Sequence, residues 1–163
     1  MHFINSDGVY SGAEKKEVAN MATAPMTGVT GGLFQWSVLG RELATTVRGY
    51  MPFQKAMTLA RRLAVWDPTD PEPNMANTLH FHVCETLGVE DYSLVRFYSA
   101  LGTPLDWFHG VDCWIEFDGR VVTIDLTING YKNCHKADVV IHPEDLEDGG
   151  RNIAARIVAF LRP

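Results

Sequence analysis

The chain has 163 residues, 46% of them hydrophobic and 21% charged, which suits one ordinary soluble globular domain with a sizeable core. No apolar run approaches the roughly 18 residues of a membrane span, and the first residues lack the charged-then-apolar pattern of a secretory signal, so no membrane partner and a cytoplasmic location are expected. The net charge of −6 speaks against polyanion binding by the whole surface, while leaving room for a local basic patch.

Three cysteines, Cys84, Cys113 and Cys134, make no disulfide framework and fit a reducing compartment. Residues 1–32 show no sustained period and are punctuated by Gly8, Gly12, Pro25, Gly28, Gly31 and Gly32. They read as an extended or mobile segment, with a short helix over Glu14 to Met21. A single α+β domain is expected over 33–163.

Within 33–50, Trp36, Leu39, Leu43, Val47 and Tyr50 recur at helical spacing. Pro52 suits the first turn of a second helix, whose apolar stripe is Phe53, Met57, Ala60 and Ala64. Arg41, Arg48, Lys55, Arg61 and Arg62 lie in this half against only Glu42. They form either a solvated face or a surface that contacts nucleic-acid phosphates. Three prolines in residues 66–74 make a rigid loop. Asn74 or Asn77 can cap a helix running to Leu87, where Gly88 stops it. Glu90 to Ala100 reads as another helix, ended by Gly102 and Pro104. Leu105 to Phe108 reads as a short strand, Ala137 to His142 as a longer one, and Asn152 to Leu161 as a closing amphipathic helix with Ile153, Ile157, Phe160 and Leu161 inward.

The strongest local signal is Gly110 to Thr127. Two β-rich runs flank Asp118-Gly119, a pair that favours a two-residue hairpin turn. That turn pairs Phe117 with Arg120, Glu116 with Val121, Trp114 with Thr123 and Asp112 with Asp125. Strand alternation then puts Cys113, Ile115, Val122, Ile124 and Leu126 on one apolar face. Asp112, Trp114, Glu116, Thr123, Asp125 and Thr127 share the other. Opposed carboxylates repel, and a divalent cation with oxygen ligands would offset the repulsion.

Gly110-Val-Asp112, a strand, a turn, and Thr123-Ile-Asp125-Leu-Thr127 resemble the PD-(D/E)XK superfamily of metal-dependent nucleases. The resemblance spans roughly Glu85 to His142. It implies a restriction-endonuclease-like fold, a small mixed sheet with flanking helices, and hydrolysis of DNA phosphodiester bonds. It further implies Mg²⁺ or Mn²⁺ on Asp112 and Asp125, with Glu85, Glu90 or Glu116 as an accessory acid. The family's lysine, two residues after the second acid, is replaced here by Thr127. Lys132 and Lys136 lie downstream and can supply the missing charge. A homodimer is among the expected assemblies.

Other readings come from different classes. The same fold without catalysis would bind nucleic acid or a protein partner, and Thr127 favours that version. Cys84, Leu101 to Pro104 and the hairpin are also similar to transglutaminase-like and papain-like cysteine enzymes, in which a His opens the hairpin; Asp112 stands at that place. His80, His82 and Cys84 alternate as zinc ligands on a strand would, with Cys134 and His135 downstream, although no tight Cys pair is present. Trp107 and Trp114 are either core residues or base-stacking platforms.

Overall fold

The hairpin forms as its turn chemistry requires. In the computed structural model, which describes residues 30–130 and 136–163, Asp118 and Gly119 both adopt positive φ, 49° and 73°. Two consecutive positive φ values match the twist of flanking antiparallel strands. Strand β2 (Cys113–Phe117) therefore pairs with β3 (Arg120–Leu126) in the expected register, Phe117 with Arg120 through Cys113 with Ile124.

Strand β1 (Arg96–Ser99) adds antiparallel to β2, and β4 (Val139–Ile141) adds parallel to β3. The sheet is thus mixed, in the order β1-β2-β3-β4. Among the described residues no helix lies between β3 and β4. The free edge of β1 is covered by the proline-rich loop: Phe97 donates its N–H to Pro68, and Trp66 Nε1 donates to the Phe97 carbonyl. Covering an edge removes a template for unwanted strand pairing.

Five helices flank the sheet among the described residues: α1 (Gly31–Leu39), α2 (Phe53–Arg62), α3 (Asn74–Leu87), α4 (Pro104–His109) and α5 (Arg151–Leu161). Strand alternation divides the core in two. Phe97, Cys113, Ile115, Val122, Ile124 and Leu126 face α1, α3 and α5, with Phe34, Leu79, Val83, Ile153 and Ile157 filling that layer. Tyr98 and Trp114 face α2 and α4, against Ala56, Met57, Ala60 and Leu105. Trp114 is fully buried and stacks on Tyr98, with ring centroids 4.8 Å apart and planes 12° apart. An α+β architecture with a central mixed sheet and a C-terminal helix is the result.

Several expectations are corrected. The first helix stops at Leu39, because Gly40 at φ 72° takes its N–H back to the Trp36 carbonyl. Its buried face is Phe34, Val38 and Leu39, while Trp36 is 53% exposed. Glu90 to Ala100 is not a helix but a 3₁₀ turn, Tyr92–Leu94, followed by β1. Its aromatic and β-branched residues find a partner strand in β2, and tertiary pairing overrides a short helical period. Leu105 to Phe108 is a helix and not a strand: Thr103 precedes Pro104 at the first helical position, and Asp106 sits in the first turn. Neither asparagine caps α3; its N-cap is Pro73, and the Asn77 amide donates to Asp70 and Pro71. Phe160 is 50% exposed, although Ile153, Ile157 and Leu161 point inward as expected. Residues 1–29, including the helix expected over Glu14 to Met21, lie outside the described residues.

Candidate functional site

The hairpin ladder ends one pair before the two aspartates. Beyond Cys113–Ile124 the chain shifts: Asp112 donates its N–H to the Ile124 carbonyl at 2.9 Å. On its other side it keeps the β1 register, its carbonyl accepting from Ala100 at 2.7 Å. The Asp112 side chain then replaces a ladder bond. Its Oδ2 accepts the Leu126 N–H at 2.7 Å. Its Oδ1 accepts from Gln35 Nε2 on α1 at 3.1 Å, and the same amide approaches the Leu126 carbonyl at 3.4 Å. Asp112 and Asp125 are thus close without being a ladder pair, and both are buried, at 2% and 5% exposure.

A third carboxylate joins them. Asp106, in the first turn of α4, accepts the Gly102 N–H at 2.9 Å and shares a hydrogen bond with Asp112. Burial pushes the Asp112 carboxyl up to about 8, and the neighbouring charges of Asp106 and Asp125 push the same way against the Leu126 hydrogen bond. Asp106 is also raised, first by burial and then by Glu42 and Asp125, against its hydrogen bonds from Gly102 and with Asp112. A raised carboxyl in hydrogen-bond contact with another buried acid holds a proton between the two. Gly102 makes the arrangement possible. Its φ is 76°, and a Cβ there would lie 2.9 Å from the Glu42 Cβ.

Lys136 reaches the same region. Its Nζ donates to the Phe108 carbonyl on α4 at 3.2 Å. Thr127, two residues after Asp125, uses its hydroxyl to accept the Asn129 N–H and its own N–H to bond the Ile141 carbonyl. Lys132 lies outside the described residues.

The accessory acids are placed elsewhere. Glu116 sits four residues along β2 from Asp112, a span of roughly 13 Å at strand rise. It is ion-paired with Arg61 and accepts from Trp114 Nε1. Glu85 accepts from the Tyr92 hydroxyl on the approach to β1, near the end of the sheet where Arg96 pairs with Glu116. Glu90 is exposed beyond α3. The resemblance that singled out these acids carries no information on which end of the sheet they meet.

The basic residues sit on different elements. Arg41 and Arg48 lie in the irregular segment after Gly40, not on a helix. Arg48 stacks over Trp107 of α4, 5.3 Å from the ring, one residue from Asp106. Arg61 is held over Tyr98 and Trp114 at the hairpin end of the sheet. Lys55 and Arg62 are exposed on α2.

The cysteine and zinc readings find no geometry. Cys84 is fully buried, and burial pushes its thiol up to about 12, where it is neutral and a poor nucleophile. His80, His82 and Cys84 lie on helix α3 and not on a strand; His80 Nε2 bonds the Val95 carbonyl at 2.9 Å. Cys134 and His135 lie outside the described residues. Among the described residues no set of three or more His, Cys, Asp or Glu side chains converges as a ready metal cage. Mg²⁺ does not demand one, since it commonly takes one or two carboxylates and keeps several waters. Asp112 and Asp125 are oxygen donors of the kind that chemistry uses.

Sequence reasoning passed over Asp106, Gln35 and Glu42. Asp106 had a signal, because Thr103-Pro-Leu-Asp106 is the Thr-x-x-acid pattern of a helix start. Gln35 had none. Compared with known proteins, the chain matches no family model, no curated protein and no solved structure.

Proposed function

We propose that this chain is a metal-dependent nuclease of restriction-endonuclease-like fold, hydrolysing phosphodiester bonds of DNA. One observation carries the reading: Asp112 and Asp125 are both buried at one end of a mixed sheet, and the charge of Asp125 helps to keep Asp112 protonated. Ionising both there is costly, and a site for a hard cation gives that cost a use.

A bound Mg²⁺ or Mn²⁺ would supply the positive charge and the acidified water that phosphodiester hydrolysis needs. Asp125 and Asp112 would hold it, and Asp106 would take up or release the shared proton as the charge of the site changes. Gln35 and the Leu126 N–H fix the Asp112 carboxylate, so little reorganisation is left for the reaction. Lys136, anchored at the end of α4, is the candidate for the ammonium that the family places on the strand. Arg48 on Trp107 adds a cation and an exposed ring beside Asp106, a pairing that suits a nucleic-acid strand.

The test is plasmid nicking across Mg²⁺ and Mn²⁺, with Asp125→Asn as the control. Metal-dependent nicking by the wild type, lost in the variant, is the expected result. Equal nicking by both would overturn the assignment. A second reading, a noncatalytic nuclease fold that binds nucleic acid or protein, is favoured by Thr127. It predicts no cleavage by the wild type and metal-dependent nicking by Thr127→Lys.

A further inference from the structure

At the hairpin end of the sheet, away from the carboxylates, lies a half-open cleft of about 380 Å³. Its size falls within the range of small-molecule sites. Three arginines line it, from three separate elements: Arg61 of α2, Arg96 of β1 and Arg120 of β3. Leu94, Phe117 and Val121 line it as well. Leu94 and Val121 are 56% and 40% exposed.

The three arginines differ in their commitments. Arg61 is tied to Glu116 and lies over the Tyr98 and Trp114 rings, 5.8 Å from each. It is held in place as part of the wall. The side chains of Arg96 and Arg120 make no hydrogen bond or salt bridge among the described residues, although Arg96 feels the charge of Asp67, and both residues are exposed. Arg96 pairs with Glu116 and Arg120 with Phe117, so the two start on opposite faces of the sheet and meet the cleft from either side of the hairpin end. Asp118 and Glu116 are the acids in the lining, so two acids oppose three cations and the cleft is net positive in a chain of −6.

We infer that this cleft binds a phosphate ester of nucleotide size, its oxygens on the Arg96 and Arg120 guanidiniums and its body against Leu94, Phe117 and Val121. Guanidinium forks match phosphate geometry, and charge-assisted bonds to phosphate are the strong kind. An acidic chain disfavours long polyanions but not one phosphate in a locally positive cleft. The ester belongs either to a free mononucleotide or to a nucleic-acid strand. The inference does not depend on the nuclease reading, because Asp125 lies five residues along β3 from Arg120, roughly 17 Å at strand rise.

The experiment is titration calorimetry in EDTA, so that no metal site contributes. The ligands are deoxythymidine monophosphate, thymidine and a short oligothymidylate. The proteins are the wild type, Arg96→Ala with Arg120→Ala, and Asp125→Asn. Binding of the monophosphate but not of thymidine is expected. The arginine variant should bind about tenfold or more weakly, while Asp125→Asn binds like the wild type. Binding of the oligonucleotide alone, still dependent on the two arginines, supports the cleft and assigns the phosphate to a strand. No binding of either phosphate ligand, equal binding of thymidine, or undiminished binding by the arginine variant overturns the inference. Circular dichroism of the variant guards against misfolding, and Arg120→Lys, which keeps the charge, should recover part of the affinity.

Discussion

Asp112 does two jobs with one carboxyl. It completes the backbone bonding at the end of β3 and carries a proton shared with Asp106. Burial, first of all, pushes its carboxyl from the ordinary aspartate range up to about 8. Below about pH 4 it is protonated in both folded and unfolded chains, and its contribution to stability is fully present. As pH climbs towards 8 the unfolded chain loses the proton while the native one keeps it, so that contribution is lost. A tenfold difference in proton affinity is worth about 1.4 kcal/mol, so the fall is on the order of a few kcal/mol. Asp112→Asn mimics the protonated acid, with Gln35 free to turn its amide. Denaturant melts from pH 4 to pH 8 should show a flatter profile for the variant and greater stability than the wild type at pH 8. Parallel profiles would mean that no proton is held there.

The turn and the buried tryptophan set the geometry of the elements. Gly119 at φ 73° closes the hairpin, and Gly119→Ala should cost about 1 kcal/mol without moving the register. Gly102→Ala is more telling. Its Cβ would press on Glu42 while its backbone is strained, and its N–H holds Asp106. A loss of about 1–3 kcal/mol is expected, together with an altered pH profile, which Gly119→Ala should not show. Trp114 fills the α2 side of the sheet, stacks on Tyr98 and donates to Glu116. Trp114→Ala should destabilise by about 3–5 kcal/mol. A loss under 1 kcal/mol in equilibrium unfolding would show that this layer is not close-packed.

Across the whole molecule, the two ends of the sheet carry opposite charge character. Acids gather where β3 ends, and arginines gather at the hairpin turn. If the acid end holds Mg²⁺ or Mn²⁺, millimolar metal should raise the melting temperature by preferential binding to the folded state. Asp125→Asn should abolish that rise and leave phosphate binding at the arginine end intact. An unchanged melting temperature in the wild type would count against a metal site. Helical pattern did not reveal this polarity, because it depends on which strand end each residue occupies.

What the residues determine by themselves is local. Asp118-Gly119 specifies a turn with positive φ, and side-chain alternation from that turn specifies both faces of β2 and β3. Gly88 stops α3 in the left-handed conformation, and the spacing of Ile153, Ile157 and Leu161 yields α5. Residues of ambiguous period were decided elsewhere. Arg96 to Ser99 became a strand because β2 offers an edge, and Trp36 faces outward while Phe34 and Val38 fill the core. The carboxylate cluster was half legible. Asp112 and Asp125 are visible from the hairpin, but their offset arises from a shift in hydrogen bonding that only the packed sheet shows. Asp106 and Gln35 join through α4 and α1, 6 and 77 positions from Asp112. The Gln35 contact depends on how the layers pack, and no local spacing encodes it, while the helix-start pattern of Asp106 says nothing of where its carboxyl points.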